Sequence, residues 1–475
     1  MNSRSLILLT SLLLGMALHS QDTWTLRRCV LTAWERNVDI SRGELNQDLR
    51  AIDLKQGKYQ LLPSLNAGAT HGYNWGQTID PFTNEFATDR VRNNNLFLSS
   101  QVTLFNGFTI QNNIKQARVN LKSSEEDLRK VKNDISLFVA QSFLSILLNQ
   151  EQVAASEEQV AISRRQVDRM QRMVDVGQSA LNSLYDLQSQ LANDELALTN
   201  AENALIISRL NLGTLLLLTP EELAGFELNA PDMESFVIDK EIPNPLVIYA
   251  TASSHLPEVK SAELQIQSSD VGLDIARGSR SPNITVNGSL GSGYSGNNLI
   301  PIGDPIIESQ TIGIVEGTGQ EVVSPDISFA DFQTKSFNDQ LDDNFNQSLS
   351  LRLNIPIFNQ LQASSDVERA KLNYQDALLR KQGVSNQLLQ DVQQAHADAV
   401  AARRSYEAAL RSEEAMRLNF ENAERRFEQQ MINPVEFNDA KSRMAITETQ
   451  VIRAHYDLIF RLTIIDFYMG KAIDL

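Results

Sequence analysis

The chain has 475 residues, of which 42% are hydrophobic and 21% charged, and its formal net charge at pH 7 is −17. A chain of this length can bury a large core. The acidic excess argues against a nucleic-acid partner, because phosphate is bound through clustered Lys and Arg. The single cysteine, Cys29, excludes a disulfide framework and a cysteine-based zinc site.

The N-terminus has the composition of a secretory signal peptide. Arg4 precedes an apolar run over 6–18, and Ser20 supplies a small residue at a cleavage point. A buried N-terminal helix is the alternative, but the run has no polar face. No later run approaches the roughly 20 apolar residues that a membrane-spanning helix needs. We therefore predict a signal peptide over 1–20 and an exported mature chain without a transmembrane helix.

The rest of the chain is a tandem duplication. A shift of 219 positions superposes Glu44 on Glu263, Leu45 on Leu264 and Pro63 on Pro282. Further along, a shift of 253 superposes Phe105 on Phe358, Asn106 on Asn359 and Ala117 on Ala370. The second copy therefore carries 34 additional residues. We predict repeats over 21–219 and 245–475, joined by a linker over 220–244.

Each repeat is predicted to end in a long helical hairpin, over 107–217 and 360–470. Both segments are rich in strong helix formers, and their apolar residues recur at the steps of three and four that favour coiled-coil packing. One helix-breaking interruption in each segment predicts a hairpin tip, at Gly177 and Gln178 in the first and at Gln430 and Met431 in the second. Beyond the tips, aligning Asp186 with Glu436 predicts a first tip that is three residues longer.

Four segments of about ten residues alternate between apolar and polar side chains, over 64–75, 96–105, 284–294 and 345–357. Five aromatic residues lie toward their loop-side ends: Tyr73, Trp75, Phe97, Tyr294 and Phe345. Alternating segments with aromatic girdles are typical of membrane-spanning β-strands. An amphipathic sheet packed on helices is the alternative, but export and long polar loops favour the membrane. Since four strands cannot close a barrel, we predict an oligomer, and a lumen wide enough for solutes favours three chains.

The duplicated helix–strand–strand–hairpin unit resembles the TolC-type outer-membrane efflux channels over about 24–475. The motifs that carry the resemblance are Leu62-Pro63-Ser64-Leu65 with Ser281-Pro282-Asn283-Ile284, Leu104-Phe105-Asn106-Gly107 with Ile355-Pro356-Ile357-Phe358-Asn359, and Tyr456-Asp457. The resemblance implies a mostly α, α+β membrane protein, a homotrimer with a 12-stranded β-barrel on a long α-helical barrel. It also implies a periplasmic membrane-fusion adaptor, docked at the tips, and an inner-membrane transporter of the RND or ABC class.

The resemblance further implies paired carboxylates around a closed periplasmic entrance. The matching residues are Glu436 and Asp439, with Asp186 as the first-repeat counterpart of Glu436 and Phe427 as the flanking aromatic. Their three-residue spacing puts Glu436 and Asp439 on one helix face, and rings of carboxylates prefer cations. A solvated helix face is the alternative. Ile432 stands where the family can carry an arginine, which argues against a salt-bridge latch there.

No motif supports catalysis, a cofactor or a metal ion. The glycine run 291–296 matches a dinucleotide fingerprint, but it leads into a long loop rather than a helix. The histidines lack metal-ligand spacing, and the acidic segment 296–343 is predicted to be a solvated extracellular loop. We expect a passive exit duct in the outer membrane, powered by its inner-membrane partner. A periplasmic coiled-coil scaffold or adaptor without a pore is the alternative.

Overall fold

The computed structural model describes residues 24–80, 82–84, 86–87, 90–228, 240–429 and 431–471. The predicted signal peptide over 1–20 and the predicted tip residue Gln430 lie outside these ranges, as does part of the predicted linker over 220–244.

Helices dominate the described chain. The first repeat contains α1 (Leu26–Arg36), α2 (Val38–Tyr59), α3 (Thr109–Asp175) and α4 (Leu181–Leu215), and α5 (Pro220–Ala224) follows it. The second repeat contains α6 (Pro245–His255), α7 (Pro257–Gly278), α8 (Phe337–Asp343), α9 (Gln362–Glu428) and α10 (Pro434–Tyr468). The helical hairpins predicted over 107–217 and 360–470 correspond to the pairs α3–α4 and α9–α10.

One antiparallel sheet contains the four long strands, in the order β1-β4-β5-β10. These strands are β1 (Ser64–Asn74), β4 (Val91–Phe105), β5 (Asn283–Ser295) and β10 (Asn346–Asn354), at the four segments predicted to be strands. Between β1 and β4 lies the short pair β2 (Thr78–Ile79) and β3 (Phe86–Ala87). The segment predicted as a solvated loop over 296–343 instead forms two strand pairs, β6 (Leu299–Ile302) with β9 (Asp331–Thr334) and β7 (Ile306–Ile314) with β8 (Glu321–Ser328). Its Ile and Val residues favour strands.

The duplication is repeated element by element. The pair α1 and α6 have 11 residues each, α3 and α9 have 67 each, and α4 and α10 have 35 each. Both tips, over 176–180 and 429–433, therefore have five residues. The shift that superposes the two repeats remains 253 positions beyond the tips. The prediction of a longer first tip is wrong, and Asp186 corresponds to Asp439 rather than to Glu436. The prediction failed because it aligned the two repeats on exposed acidic residues. Leu184 and Phe437, which are both buried and lie 253 positions apart, give the correct alignment of the repeats.

The described chain folds into two compact units, and both repeats contribute to each. A helical unit takes in the residues up to Ile52, Arg118–Ser268 and the residues from Tyr374 onward. A sheet unit takes in Asp53–Ala117 and Ser269–Asn373. The two copies are therefore interleaved rather than folded as separate lobes.

The core of the helical unit is built around α3. Phe143, Ile146 and Leu147 are almost fully buried there with Cys29 of α1 and Leu212 of α4. Burial raises the pKa of the Cys29 thiol to about 12. Among the described helices, α3 is the one that is long and apolar enough to cross a membrane. Its most apolar stretch is 44% buried, and helices in the cores of soluble proteins can be equally long and apolar.

In the sheet unit, the chain leaves β4 through a close contact between two glycines. Gly107 has a φ of +65°, and a Cβ atom added to it would lie 2.4 Å from the carbonyl oxygen of Gly278, the last residue of α7. A Cβ atom on Gly278 would in turn lie 2.6 Å from the carbonyl oxygen of Gly107. These distances leave no room for a side chain on either residue.

Replacing Gly107 with alanine is expected to lower the unfolding temperature, because the new Cβ would meet the Gly278 backbone and because L-residues disfavour this φ. The matched control is Gly383→Ala within α9, where a Cβ would meet no heavy atom of the described residues within 4 Å. The control should stabilise its helix by up to about 1 kcal/mol. Thermal unfolding followed by circular dichroism compares the two variants, and equal melting of Gly107→Ala and the parent would contradict the close contact.

Candidate functional site

The register of the four long strands separates the sheet into an apolar and a polar face. One row across the sheet contains Leu65, Ser100, Gly288 and Leu349, and the next row on that face contains Ala67, Leu98, Leu290 and Gln347. The opposite face carries Asn66, Ser99, Ser289 and Ser348 in one row. The apolar face is open in the single chain, where Leu349 is 81% exposed. Such a surface needs lipid or protein to cover it.

The same sheet ends in two open edges. Within the described residues, β1 pairs with β4 alone and β10 pairs with β5 alone. The outer backbone N–H and C=O groups of both edge strands therefore have no strand partner in this part of the chain. Open edges invite pairing with another chain, and they are not tolerated in hydrocarbon.

The predicted interface aromatics fall into two groups. Tyr73, Trp75 and Phe345 are exposed, and the rings of Tyr73 and Trp75 lie 6.0 Å apart. Tyr294 is only 6% exposed, because Phe337 of α8 packs on its ring at 5.4 Å and the guanidinium of Arg92 lies 4.6 Å from its centroid. Tyr294 is thus not available to lipid in this structure.

The structure corrects the prediction for Phe97. Its strand position pairs with Gly68 and Gly291, and it shares the polar face with Ser99 and Gln101. A Cβ atom on Gly68 would lie 2.4 Å from the Phe97 ring, so the ring covers this glycine. The prediction failed because it counted aromatic residues near the strand ends without assigning each one to a face.

Both hairpin tips begin with the same hydrogen bond. At the first tip, the backbone N–H of Gln178 donates to the carbonyl of Met173 at 2.7 Å, and Gly177 has a φ of +72°. At the second tip, the N–H of Met431 donates to the carbonyl of Arg426 at 2.8 Å. These bonds close the last turns of α3 and α9. The next helix, α10, is capped at its N-terminus by Asn433, whose side chain accepts the N–H of Glu436 at 2.9 Å.

An apolar cluster holds the two tips together inside the helical unit. Its buried members are Met170, Leu184, Leu187, Phe427 and Phe437. The rings of Phe427 and Phe437 stack with their centroids 4.6 Å apart. Phe427 was predicted to flank the entrance, but it is a buried member of this cluster. Beside it lies a cavity of about 170 Å³, whose lining includes Gln166, Met173, Gln178, Ser183 and Ile432.

The predicted acidic residues are exposed on the helices that follow the tips. Glu436 accepts a hydrogen bond from Nδ2 of Asn433 at 3.1 Å. Asp439 accepts one from Nε of Arg443 at 2.9 Å, one helical turn away. Asp186 is exposed on α4. The guanidinium of Arg443 therefore offsets part of the charge of Asp439. Arg443 was not among the residues predicted from the sequence.

A buried charged network near the tips was not predicted from the sequence. Lys441 is 2% exposed, and its Nζ donates to Asp194 Oδ2 at 2.5 Å, to Ser163 Oγ at 2.5 Å and to the carbonyl of Gln159 at 3.0 Å. The network ties α10 to α3 and α4. Burial lowers the pKa of Lys441, and the bond to Asp194 opposes that effect. The one signal in the sequence is that Lys441 follows the buried Phe437 by four residues, on the same helix face.

The helical unit also contains a cavity of about 340 Å³ beside this network, with Glu448 in its lining. Burial, together with the charges of Glu158 and Glu413, raises the pKa of Glu448. In the described ranges, no group of three or more His, Cys, Asp or Glu side chains is placed to hold a metal ion.

Two stretches of the chain, 31–216 and 248–471, match the family described as "Outer membrane efflux protein". The chain belongs to this family. The resemblance found in the sequence is thereby confirmed, and so is the location in the outer membrane, with the helical part in the periplasm.

Individual relatives are distant. A stretch of 192 residues is 24% identical to "Outer membrane protein TolC" of Escherichia coli (strain K12), and it covers 38% of this chain but only 39% of TolC. The solved structure of CusC superposes with a TM-score of 0.74 over 96% of both chains at 14% identity. The Campylobacter jejuni CmeC outer membrane channel superposes with a TM-score of 0.72 over 95% of this chain and 86% of its own, also at 14% identity. These structures share the fold, and the predicted mostly α, α+β fold is confirmed.

Replacing Lys441 with alanine is expected to destabilise the helical unit by about 3–5 kcal/mol, because the carboxylate of Asp194, with a side chain only 14% exposed, would lose its cation. The double variant Lys441→Met/Asp194→Leu removes both charges and should recover much of that loss. Arg443→Ala is the control, since it breaks an exposed ion pair on the same helix and such pairs contribute little. Denaturant unfolding measures all three, and equal effects of Lys441→Ala and Arg443→Ala would contradict the network's role.

Proposed function

We propose that three copies of this chain form a channel through the outer membrane that serves as the passive exit duct of a tripartite efflux or secretion pump. One observation carries the proposal: an open four-stranded sheet with an exposed apolar face, a polar face and two edges that have no strand partner among the described residues. When β10 of one copy pairs with β1 of the next, both edges are satisfied. The apolar faces then meet lipid, and the polar faces enclose water.

The number of strands that each chain supplies favours three copies. Two copies would supply eight strands, about the smallest membrane barrel, whose interior is filled by side chains. Three copies supply twelve and leave a lumen for solutes. Tyr73, Trp75 and Phe345 are proposed to lie at the membrane interface, where membrane barrels carry girdles of aromatic residues.

The hairpins α3–α4 and α9–α10 of the three copies are proposed to form a helical tunnel in the periplasm. The tips close its entrance at rest, held by the cluster around Phe437, and they separate when a periplasmic membrane-fusion adaptor docks. Gly177, Gln178, Gln430 and Met431 are the proposed contacts of that adaptor. The chain is proposed to have no enzymatic activity, and an inner-membrane transporter of the RND or ABC class supplies the energy.

At the entrance, Glu436 and Asp439 are proposed to form two carboxylate rings around the threefold axis. Both are exposed, and the three-residue spacing places them on one face of α10. Asp186, the first-repeat counterpart of Asp439, is proposed to add a third acidic position near the rings.

The alternative function, a periplasmic coiled-coil scaffold or adaptor, is disfavoured by the exposed apolar sheet face and by the family membership. Membrane fractionation separates the two functions. The channel is expected to stay with the outer membrane through high-salt and carbonate washing, because its sheet contacts hydrocarbon. Release of the protein into the wash would contradict the channel.

Replacing both Glu436 and Asp439 with alanine is expected to weaken the block of channel conductance by divalent cations, because carboxylate rings attract cations. Planar-bilayer recordings with increasing calcium measure the block. Asp457→Ala is the matched control: it removes an exposed carboxylate from the same helix, more than 15 residues beyond the pair. An unchanged block in the double variant would remove the ring assignment.

A further inference from the structure

In the loop between β1 and β4, the described residues Asp80, Phe82 and Thr83 pack against the sheet. Asp80, which is only 1% exposed, anchors this part of the loop through hydrogen bonds. One carboxylate oxygen of Asp80 accepts the backbone N–H groups of Phe82 at 2.9 Å and Thr83 at 3.2 Å, which sets the turn. The other oxygen accepts a hydrogen bond from the hydroxyl of Ser295, at the end of β5.

A second contact shows which face of the sheet the loop covers. A Cβ atom on Gly293 would lie 2.0 Å from Cζ of Phe82, so the phenyl ring occupies the space above this glycine. Gly293 pairs with Asn95, and Ser295 pairs with Asn93. All four strand positions are on the polar face, so Phe82 and Asp80 both dock on the polar side of the sheet.

The docking point itself is firmly held. Gln340 of α8 is fully buried and pairs with the backbone of Ser295 as a neighbouring strand would. Its Nε2 donates to the Ser295 carbonyl at 3.0 Å, and its Oε1 accepts the Ser295 N–H at 2.9 Å. Two further hydrogen bonds join α8 and the residue after it to β5. The hydroxyl of Ser292 donates to the carbonyl of Leu341, and the side-chain amide of Asn344 donates to the carbonyl of Gly293.

Two buried polar atoms where the loop meets the sheet lack hydrogen bonds. Among the described atoms, Thr83 Oγ1 and Asn93 Oδ1 are buried without a hydrogen-bond partner. Burying such atoms opposes docking, because they lose their bonds to water. Among the described residues, the contacts of Asp80 and Phe82 hold the loop on the sheet against this cost.

We infer that this loop is an inward strap that narrows the extracellular mouth of the channel, and that Phe82 limits the size of the solutes that pass. The inference rests on the proposed function, because the polar face lines a lumen only when the sheet closes into a barrel. In a trimer, three straps would project into one opening.

Thiol labelling in intact cells tests the strap. Ser350→Cys places a thiol on the polar face, several rows deeper than Gly293, and Leu351→Cys places one beside it on the apolar face. The native Cys29 gives little background because it is buried. A small charged thiol reagent and a polyethylene-glycol-linked one are added outside the cells. The labelling rates are measured with Phe82 present and with Phe82→Ala.

We expect the small reagent to label Ser350→Cys and to spare Leu351→Cys. The bulky reagent should label Ser350→Cys slowly, and Phe82→Ala should raise that rate several-fold without changing the rate of the small reagent. Asp80→Ala should act in the same direction, as a second way to release the strap. Phe86→Ala is the control, because it removes an exposed ring from the same loop, and it should leave both rates unchanged.

The two ways to fail are distinguishable. If Phe82→Ala and Asp80→Ala leave the bulky reagent's rate unchanged while the small reagent still separates the two faces, the strap is overturned and the channel stands. If the small reagent labels both thiols alike, or neither, the polar face does not line a lumen, and the proposed function is overturned with the strap.

Discussion

The constraint on which the rest of the structure depends is the hydrogen bonding of two sheet edges. An unpaired backbone N–H or C=O group in hydrocarbon costs several kcal/mol. On their outer sides, strands β1 and β10 each carry a row of backbone groups without a strand partner in the described part of the chain, on a sheet whose apolar face is open around Leu349. No arrangement of one copy satisfies both edges in a membrane, whereas a ring of copies satisfies every edge in the same way.

The interleaved duplication supplies the parts of the proposed ring. Each repeat contributes one strand pair and one helical hairpin, and β4 of the first repeat lies beside β5 of the second. The two repeats of one chain therefore share one sheet, and both contribute to the core of the helical unit. In the helical unit, Lys441 ties α10 to Asp194 of α4 from the inside, while the stacked rings of Phe427 and Phe437 belong to the apolar cluster that packs the two tips together. The same chain thus combines an open sheet, which needs partners, with a helical unit that has a well-packed core of its own.

The periodic features of the molecule could be predicted from the sequence. Alternation located the four strands, and the three–four spacing located the hairpins. The features that were missed depend on contacts between distant residues or on the side of a strand that a residue faces. Asp80 meets Ser295 across 215 positions and Lys441 meets Asp194 across 247, and no local pattern identifies either partner. Phe97 was counted among the interface aromatics although it lies on the polar face, and the shift beyond the tips was set by acidic residues rather than by buried Leu184 and Phe437.

The most direct measurement of the central claim is the molecular mass of the purified mature protein, determined by light scattering with and without detergent. A barrel closed by strands from three chains predicts a particle of three chains that carries bound detergent and aggregates when the detergent is removed. A monodisperse single chain that stays in solution without detergent would contradict the account.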